Sequence, residues 1–386
     1  MAERQPSKLH VASSNLVSRS THPVDANPVE PDQAAALRAA ALRLRTALDR
    51  AIRPTPHLAT DVAALSLAYR SGTTPGGEAS FVHDERSAAA YAAARMPATF
   101  AAVGRAMLEG ARSLPGFLPR SLVDIGAGTG TASWAAVAVW SSIERLTLID
   151  PEPAMVALGK RLAAAGPAPH PIAAGDWRVG RLGTENLPIA DLVVAAYLLG
   201  ELDPTTRAQV VDSAWSTTSA QGALVIVEPG SRAGFARILE ARDRLIAAGA
   251  TIAAPCPGNV PCPVRDPVWC HFLARLDRSP LQRNAKAATR SWEDEPYSYL
   301  VAARSDPART TDPTKPAPRV VLGRPRHQPG RIQLRVCAAD GLTEPTISRR
   351  DGPAWRAARN LAWGDRVDGD LADHLRDAGR LPADDE

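Results

Sequence analysis

An α/β chain is the fold class this sequence predicts: a parallel sheet wrapped by helices, a helical region before it and a small β-containing module after it. Three observations predict it. Between Ser121 and Arg304 short aliphatic runs alternate with helical stretches. From Asp32 to about Pro115 apolar residues recur at three and four spacing. Near the C-terminus RVVLG and RIQLRVC flank an RPRHQPG turn, the pattern of a hairpin. The 386 residues are 45% hydrophobic and 22% charged, a composition that excludes disorder throughout and leaves room for more than one domain.

Taken in order, residues 1–32 are rich in Ser, Pro and His and read as a disordered leader. They lack the apolar core of ~7 to 15 residues that a secretory signal needs, and no apolar run in the chain approaches the ~18 to 20 residues that cross a bilayer. This predicts a bacterial cytoplasmic protein with no membrane partner, or a mitochondrial-matrix one if the chain is eukaryotic. Residues 33–119 read as an N-terminal helical region, broken at Pro54, Pro56 and the GTTPGG run over 72–77. Over 120–304 the predicted strands are 121–125, 145–150, 171–175, 191–196, 223–228 and 297–303, with helices near 129–139, 153–165, 205–217 and 234–248. Residues 305–318 read as a linker, 319–370 as a basic module and 371–386 as an acidic tail.

The net charge is +4 and almost every basic residue is arginine, a skew that GC-rich coding alone produces. Its distribution carries more. Nine arginines against three acids lie between Arg319 and Arg359, a local +6 that leaves the rest of the chain at −2. Such a cluster suits a phosphate-rich partner, and equally a solvated basic face. The candidate contacts are Arg319, Arg324, Arg326, Arg331, Arg335, Arg349 and Arg350.

The first predicted strand runs into Gly126-Ala127-Gly128-Thr129-Gly130 and then a helix. Glycines belong where backbone turns sharply and a ligand approaches closely. A dinucleotide loop would read G-x-G-x-x-G. This one is D-x-G-x-G-x-G from Asp124, which resembles motif I of the Rossmann-like class I S-adenosylmethionine-dependent methyltransferases. Asp150, ending the second strand, is placed to accept both ribose hydroxyls. Asp176 and Trp177, read as ending the third strand, would bond the adenine amino group and pack on the base. The fourth strand leads into AAYLLGEL, without the [DN]-P-P-[YF] tetrad that holds a base nitrogen; Tyr197 and Glu201 are the catalytic candidates there.

Four cysteines, Cys256, Cys262, Cys270 and Cys337, are spaced C-x5-C-x7-C-x66-C, three of them in one Pro-rich stretch. Thiols used this way inside a cell point to metal. Four thiolates suit tetrahedral zinc or a [4Fe–4S] cluster; spacings of five and seven exceed the usual zinc pair, so the cluster is preferred and zinc is the alternative. Pro255-Cys256 also looks like the Pro-Cys of 5-methylcytosine RNA methyltransferases, but it follows a whole helix beyond the fifth strand.

AYAAARMPATFAAV (90–103), DLVVAAYLLGEL (191–202), VIVEPGSRAGFARILEARDRLIAAGA (225–250), CP-x4-CP with WCHF (256–272) and EDEPYSYL (293–300) together resemble the methyltransferase-like family of mitochondrial small-ribosomal-subunit proteins and their bacterial relatives, over about residues 55–370. The resemblance implies a protein that binds S-adenosylmethionine, carries a [4Fe–4S] cluster on Cys256, Cys262, Cys270 and Cys337, and acts on or binds small-subunit rRNA in ribosome assembly, with no DNA partner. A cluster held by both parts would pin the basic module to the core across the linker, and its loss would release the arginine surface from its fixed orientation. Two other readings are a non-catalytic RNA-binding assembly factor and a small-molecule methyltransferase with a zinc site.

Overall fold

The computed structural model describes residues 31–71, 82–166, 171–181, 186–256, 258–304, 319–367 and 369–378. The expected leader through residue 30, the GTTPGG break and the expected linker lie outside them. Four helices come first: α1 (Pro31–Ala51), α2 (Leu58–Ser71), α3 (Glu85–Ala94) and α4 (Met96–Ser113). Asp84 starts α3 with a reciprocal cap, since Ser87 N–H donates to its carboxylate at 2.7 Å and Ser87 Oγ accepts the Asp84 N–H at 3.1 Å. Such a cap is worth about 1 kcal/mol. α4 buries Met96, Phe100, Val103 and Met107.

The alternating segment follows as β1 (Ser121–Ile125), α5 (Thr131–Val139), β2 (Arg145–Asp150), α6 (Pro153–Ala165), β3 (Asp176–Val179), β4 (Ala190–Ala196), α7 (Pro204–Thr217), β5 (Thr218–Pro229), α8 (Arg232–Ala247), β6 (Ala250–Ala254), β7 (Phe272–Asp277), α9 (Pro280–Ala285) and β8 (Trp292–Arg304). The sheet order is β3-β2-β1-β4-β5-β8-β6, and β7 adds to β8. β1 to β5 are parallel, whereas β8 runs antiparallel to β5, β6 and β7. This is the Rossmann-like α/β sheet the sequence predicts. The strand order reverses beside β1, which opens a crevice outside the carboxyl ends of β1 and β4.

Because successive side chains on a strand point to opposite faces, each strand feeds two cores. Leu122, Leu148, Val225 and Val301 pack with residues of α1, α4, α5 and α6. Val123, Ile149, Leu224 and Leu300 pack with residues of α7 and α8. The N-terminal helices therefore cover one face of the sheet and share its core instead of forming a separate domain.

One strand expectation needs correction and two strands were missed. Residues 171–175 are not a strand: Pro171–Ala174 is a 3-10 turn, and β3 begins only at Asp176. β6 and β7 were not legible, the first because ATIAA is mostly alanine, the second because it follows directly on a cysteine-rich loop.

The C-terminal module comprises β9 (Arg319–Val321), β10 (Arg326–Gln328), β11 (Arg331–Gln333), β12 (Val336–Ala338), β13 (Gly341–Thr343), β14 (Thr346–Ser348), α10 (Gly352–Ala358), β15 (Arg366–Val367) and α11 (Gly369–Ala378). The expected hairpin divides between two sheets, β10-β11-β14 and β13-β12-β9-β15. RIQLRVC supplies β11 to one and β12 to the other, with buried Leu334 between them. The expected acidic tail is helical as far as it is described: Leu371 and Ala372 of α11 enter the module's core beside Ile332, Ile347 and Val367. No described helix is long and apolar enough to cross a membrane.

Candidate functional site

The crevice is built on the loop after β1. Gly126, Gly128 and Gly130 have φ of +66°, +55° and +81°, the region that favours glycine. A Cβ on Gly126 would stand 2.9 Å from Leu198, and one on Gly130 2.7 Å from Trp177. Asp150, ending β2, ties the loop: one carboxylate oxygen accepts Gly128 N–H at 2.8 Å and the other Glu152 N–H at 2.9 Å. Burial pushes its pKa up to about 6. Asp124 lies behind the loop, 1% exposed, accepting the N–H and hydroxyl of Ser133 at 3.0 and 2.7 Å, and burial raises it to about 7. It anchors the start of α5 to β1.

Asp176 and Trp177 do not stand where the sequence predicts. Asp176 opens β3 opposite Thr147, three residues upstream of the Asp150–Val179 pair, about 10 Å from the carboxyl edge. Its carboxylate pairs with Arg178 at 2.7 Å. The Trp177 indole is buried under the loop, against Gly130 and Gly159, and donates to Ile172 O at 3.2 Å. Both assignments to adenine are corrected: a strand that starts five residues later than expected cannot bring its first two residues to its far end. Val179, 51% exposed, is the residue that ends β3.

At the end of β4, Tyr197 adopts φ +59°, held by its N–H to Val227 O at 2.7 Å. Its hydroxyl donates to Glu295 at 3.1 Å, and Arg95 pairs with the same carboxylate at 2.7 Å. Burial, with the Glu295 charge adding to it, pushes the Tyr197 phenol well above its ordinary value. Glu201 is exposed at the end of the turn Leu199–Glu201. That turn rests on Glu228, fully buried at the end of β5, which accepts Leu199 N–H at 2.9 Å and pairs with Arg237 at 2.7 Å. Sequence reasoning missed Arg95, Glu228, Arg237 and Glu295; an arginine directly after the alanine-rich run of 88–94 and an acid ending an aliphatic strand were the available signals.

The four cysteines converge. β6 and β7 pair with successive parts of β8, so the chain between them leaves and returns to one strand. Cys256, Cys262 and Cys270 come from that excursion and Cys337 from β12, and all four line a single cavity with Arg242, Tyr299 and Leu322 among its walls. Burial raises the Cys256 and Cys270 thiols and pushes Cys337 up to about 12. Among the described residues no three His, Cys, Asp or Glu side chains are gathered closely enough to hold one metal ion. His271 packs between Trp269 and Trp363, with ring centroids at 4.9 and 4.6 Å. Cys256 sits beyond β6 at the sheet's far edge, away from the glycine loop, which removes the catalytic Pro-Cys reading.

The seven arginines divide. Arg319 pairs with Asp340 at 3.3 Å, Arg324 with Asp294 at 3.5 Å and Arg335 with Glu344 at 2.6 Å, while Arg349 lies over the Trp355 ring. Arg326, Arg331 and Arg350 are exposed. The β10-β11-β14 register sets Arg326 and Arg331 on the face opposite buried Ile332 and Ile347.

A family model described as mitochondrial small ribosomal subunit Rsm22 matches residues 85–368. The chain belongs to this family. The match takes in the glycine loop, Asp150 and all four cysteines. Ribosome assembly protein METTL17, mitochondrial, of Homo sapiens is 31% identical to this Rsm22-family chain over 300 residues, 71% of the chain and 61% of the relative, so the chain spans about three-fifths of that protein. Among solved structures, magnesium protoporphyrin IX methyltransferase of Synechocystis with bound SAM is similar at TM-score 0.34 and 15% identity, over 57% of this chain and 82% of its own. An O-methyltransferase family protein of Burkholderia thailandensis is similar at TM-score 0.38 and 16% identity, over 58% and 61%.

Proposed function

We propose that this chain is an S-adenosylmethionine-binding, [4Fe–4S]-carrying methyltransferase-like protein that engages small-subunit rRNA during ribosome assembly, in the mitochondrial matrix or in the cytoplasm of a bacterium. The observation that carries the reading is the family match, which includes the cofactor loop and the four cysteines together. The relative's role as a ribosome assembly protein supports the same partner.

The crevice fits the cofactor on its ribose side. Left-handed glycines let the loop turn tightly with Leu198, Met155 and Trp177 packed against it, and Asp150 stands at the strand end as acceptor for the ribose hydroxyls. Bound S-adenosylmethionine supplies an electrophilic methyl group. Around it, Leu198 closes over Gly126, and Tyr197, its proton held toward Glu295, donates a hydrogen bond instead of acting as a base near neutral pH. The cavity fits the cluster by its donor set. Four cysteines around one cavity supply the thiolate set that a [4Fe–4S] cluster takes. Cys256, Cys262, Cys270 and Cys337 would hold it. The exposed arginine face of β10 and β11 would take phosphates.

The engaged state of Tyr197 favours a second reading in which the donor is bound for structure and no methyl group is transferred. Anaerobic purification with iron and sulfide analysis, then binding of S-adenosylmethionine, small subunits and labelled methyl transfer, tests all of this. We expect absorbance near about 400 nm that Cys270→Ser bleaches, cofactor binding that Asp150→Asn abolishes, and co-sedimentation with small subunits. Methyl transfer to rRNA lost with Asp150→Asn would select the enzyme; subunit binding that survives this substitution, with no transfer by the wild type, would select the scaffold. A colourless protein with stoichiometric zinc would refute the cluster.

A further inference from the structure

Arg242 on α8 is 3% exposed, yet it carries a charge into the cysteine cavity. Among the described residues it is the only charged side chain lining that cavity, whose other walls are mainly apolar. One terminal nitrogen, Nη2, donates to Val260 O and, at 3.2 Å, to Gly258 O, carbonyls of the loop between Cys256 and Cys262. The other reaches Asp243 at 3.1 Å, a carboxylate 66% exposed and therefore mostly satisfied by water. Nε is buried with no partner among the described residues. An orphaned N–H on a buried guanidinium is costly, and it calls for an acceptor in the cavity. Cys256 and Cys337, the latter contributed by the C-terminal module, line the same cavity as this guanidinium.

We propose that Arg242 is the positioning residue and counter-charge of the cysteine centre: it holds the loop between Cys256 and Cys262 in ligating shape and, as the buried cation beside an electron-rich cluster, raises the reduction potential of that cluster. The inference rests on the iron–sulfur reading above. Four thiolates carry more negative charge than the core neutralises, and each added electron increases the excess. A cation in an apolar wall stabilises the reduced form more than the oxidised one, and hydrogen bonds to ligand sulfur act in the same direction. Arg242 supplies the charge, and its unpartnered Nε–H is the donor left for a sulfur in the cavity. Two roles follow and separate by substitution: Arg242→Lys keeps a charge without the planar fork, whereas Arg242→Met and Arg242→Gln remove the charge.

The test uses the full chain, purified and handled without oxygen, with iron and acid-labile sulfide measured beside a spectroelectrochemical titration. Arg242→Met is expected to lower the one-electron reduction equilibrium at least ten-fold, a downward shift of about 59 mV or more. Arg242→Lys is expected to keep the wild-type potential and to lose iron to a chelator several-fold faster, because the loop carbonyls lose their shared donor. Should the methionine variant fail to fold, Arg242→Gln, which retains an amide donor, carries the same comparison of potential. A neutral variant with wild-type iron content and an unmoved midpoint overturns the proposal. Wild-type protein without iron and sulfide, or with zinc alone, overturns the cluster reading beneath it, so the two failures are distinguishable.

Discussion

Replacing Asp124 with asparagine should change how stability depends on pH, and the structure gives the sign and size. Asp124 is 1% exposed and burial raises its pKa from 3.8 to about 7, with the Asp150 charge adding in the same direction and the two Ser133 hydrogen bonds opposing it. For a group whose folded pKa lies above its unfolded one, the stabilisation is complete below the unfolded value and is lost as pH rises through the folded value. The window is therefore about pH 4 to 7. A shift of about three units at ~1.4 kcal/mol per unit sets a ceiling of about 4 kcal/mol, of which about 2 to 3 kcal/mol falls between pH 5 and 8.

Asparagine keeps an acceptor for Ser133 N–H and cannot ionise. Urea unfolding of both proteins without cofactor, at intervals from pH 5 to 8, measures the difference. The variant should gain on the wild type steadily with pH, by about 2 kcal/mol or more over that range. Asp150, raised to about 6 in the same direction, titrates in both proteins and cancels to first order in the comparison. Parallel stability curves would refute the claim that a carboxyl group buried behind the glycine loop carries a proton at neutral pH.

Gly159→Ala should destabilise by about 1 to 3 kcal/mol, since its Cβ would stand 2.4 Å from the Trp177 ring, and Trp177→Phe should relieve much of that in a double-mutant cycle; additive effects would mean the indole lies elsewhere. Glu228→Gln should cost about 3 kcal/mol by leaving Arg237 half-buried without its counter-charge, read as a lower urea midpoint together with faster proteolysis around 199–201. The double variant Arg326→Glu, Arg331→Glu should flatten the log–log salt dependence of rRNA binding by about 2, with an unchanged slope excluding that face from the interface.

The parts of the fold legible in the sequence were those where one residue type dominates a short run. SLVDI, RLTLID, DLVVAA and ALVIVE are β-branched and leucine-rich, and β1, β2, β4 and β5 occupy those positions. Asp150 was legible because it ends such a run. Asp176 was misplaced because PIAAG looked aliphatic enough for a strand, while Pro171 and Gly175 bracket a 3-10 turn that moves the strand downstream. The Arg95–Glu295 pair joins residues 200 positions apart, and no local pattern encodes it. The clustering of three cysteines was readable in their spacing and Cys337 joined them through the family resemblance; that it lines the same cavity depends on β12 pairing with β9 in the middle of the module's four-stranded sheet, a long-range event.

The attachment of the C-terminal module shows what a cysteine centre can and cannot control. The sequence suggests a module hung on a linker and pinned by the cluster, so that losing the cluster releases the arginines from their fixed orientation. The structure gives the module other holds. Val320 and Leu322 are 6% and 5% exposed and belong to the same apolar core as the sheet's α4 face, and burying each contributes about 1.5 to 3 kcal/mol. Trp363 donates to His271 O at 2.7 Å, and Arg366 reaches Ser113 and Glu109 on α4. These contacts surround the cavity without needing anything inside it. A centre there would act on the alignment of β12 and its neighbours more than on whether the module stays bound, so its effect on the basic face would be orientational, with Arg326 and Arg331 keeping their register on β10 and β11.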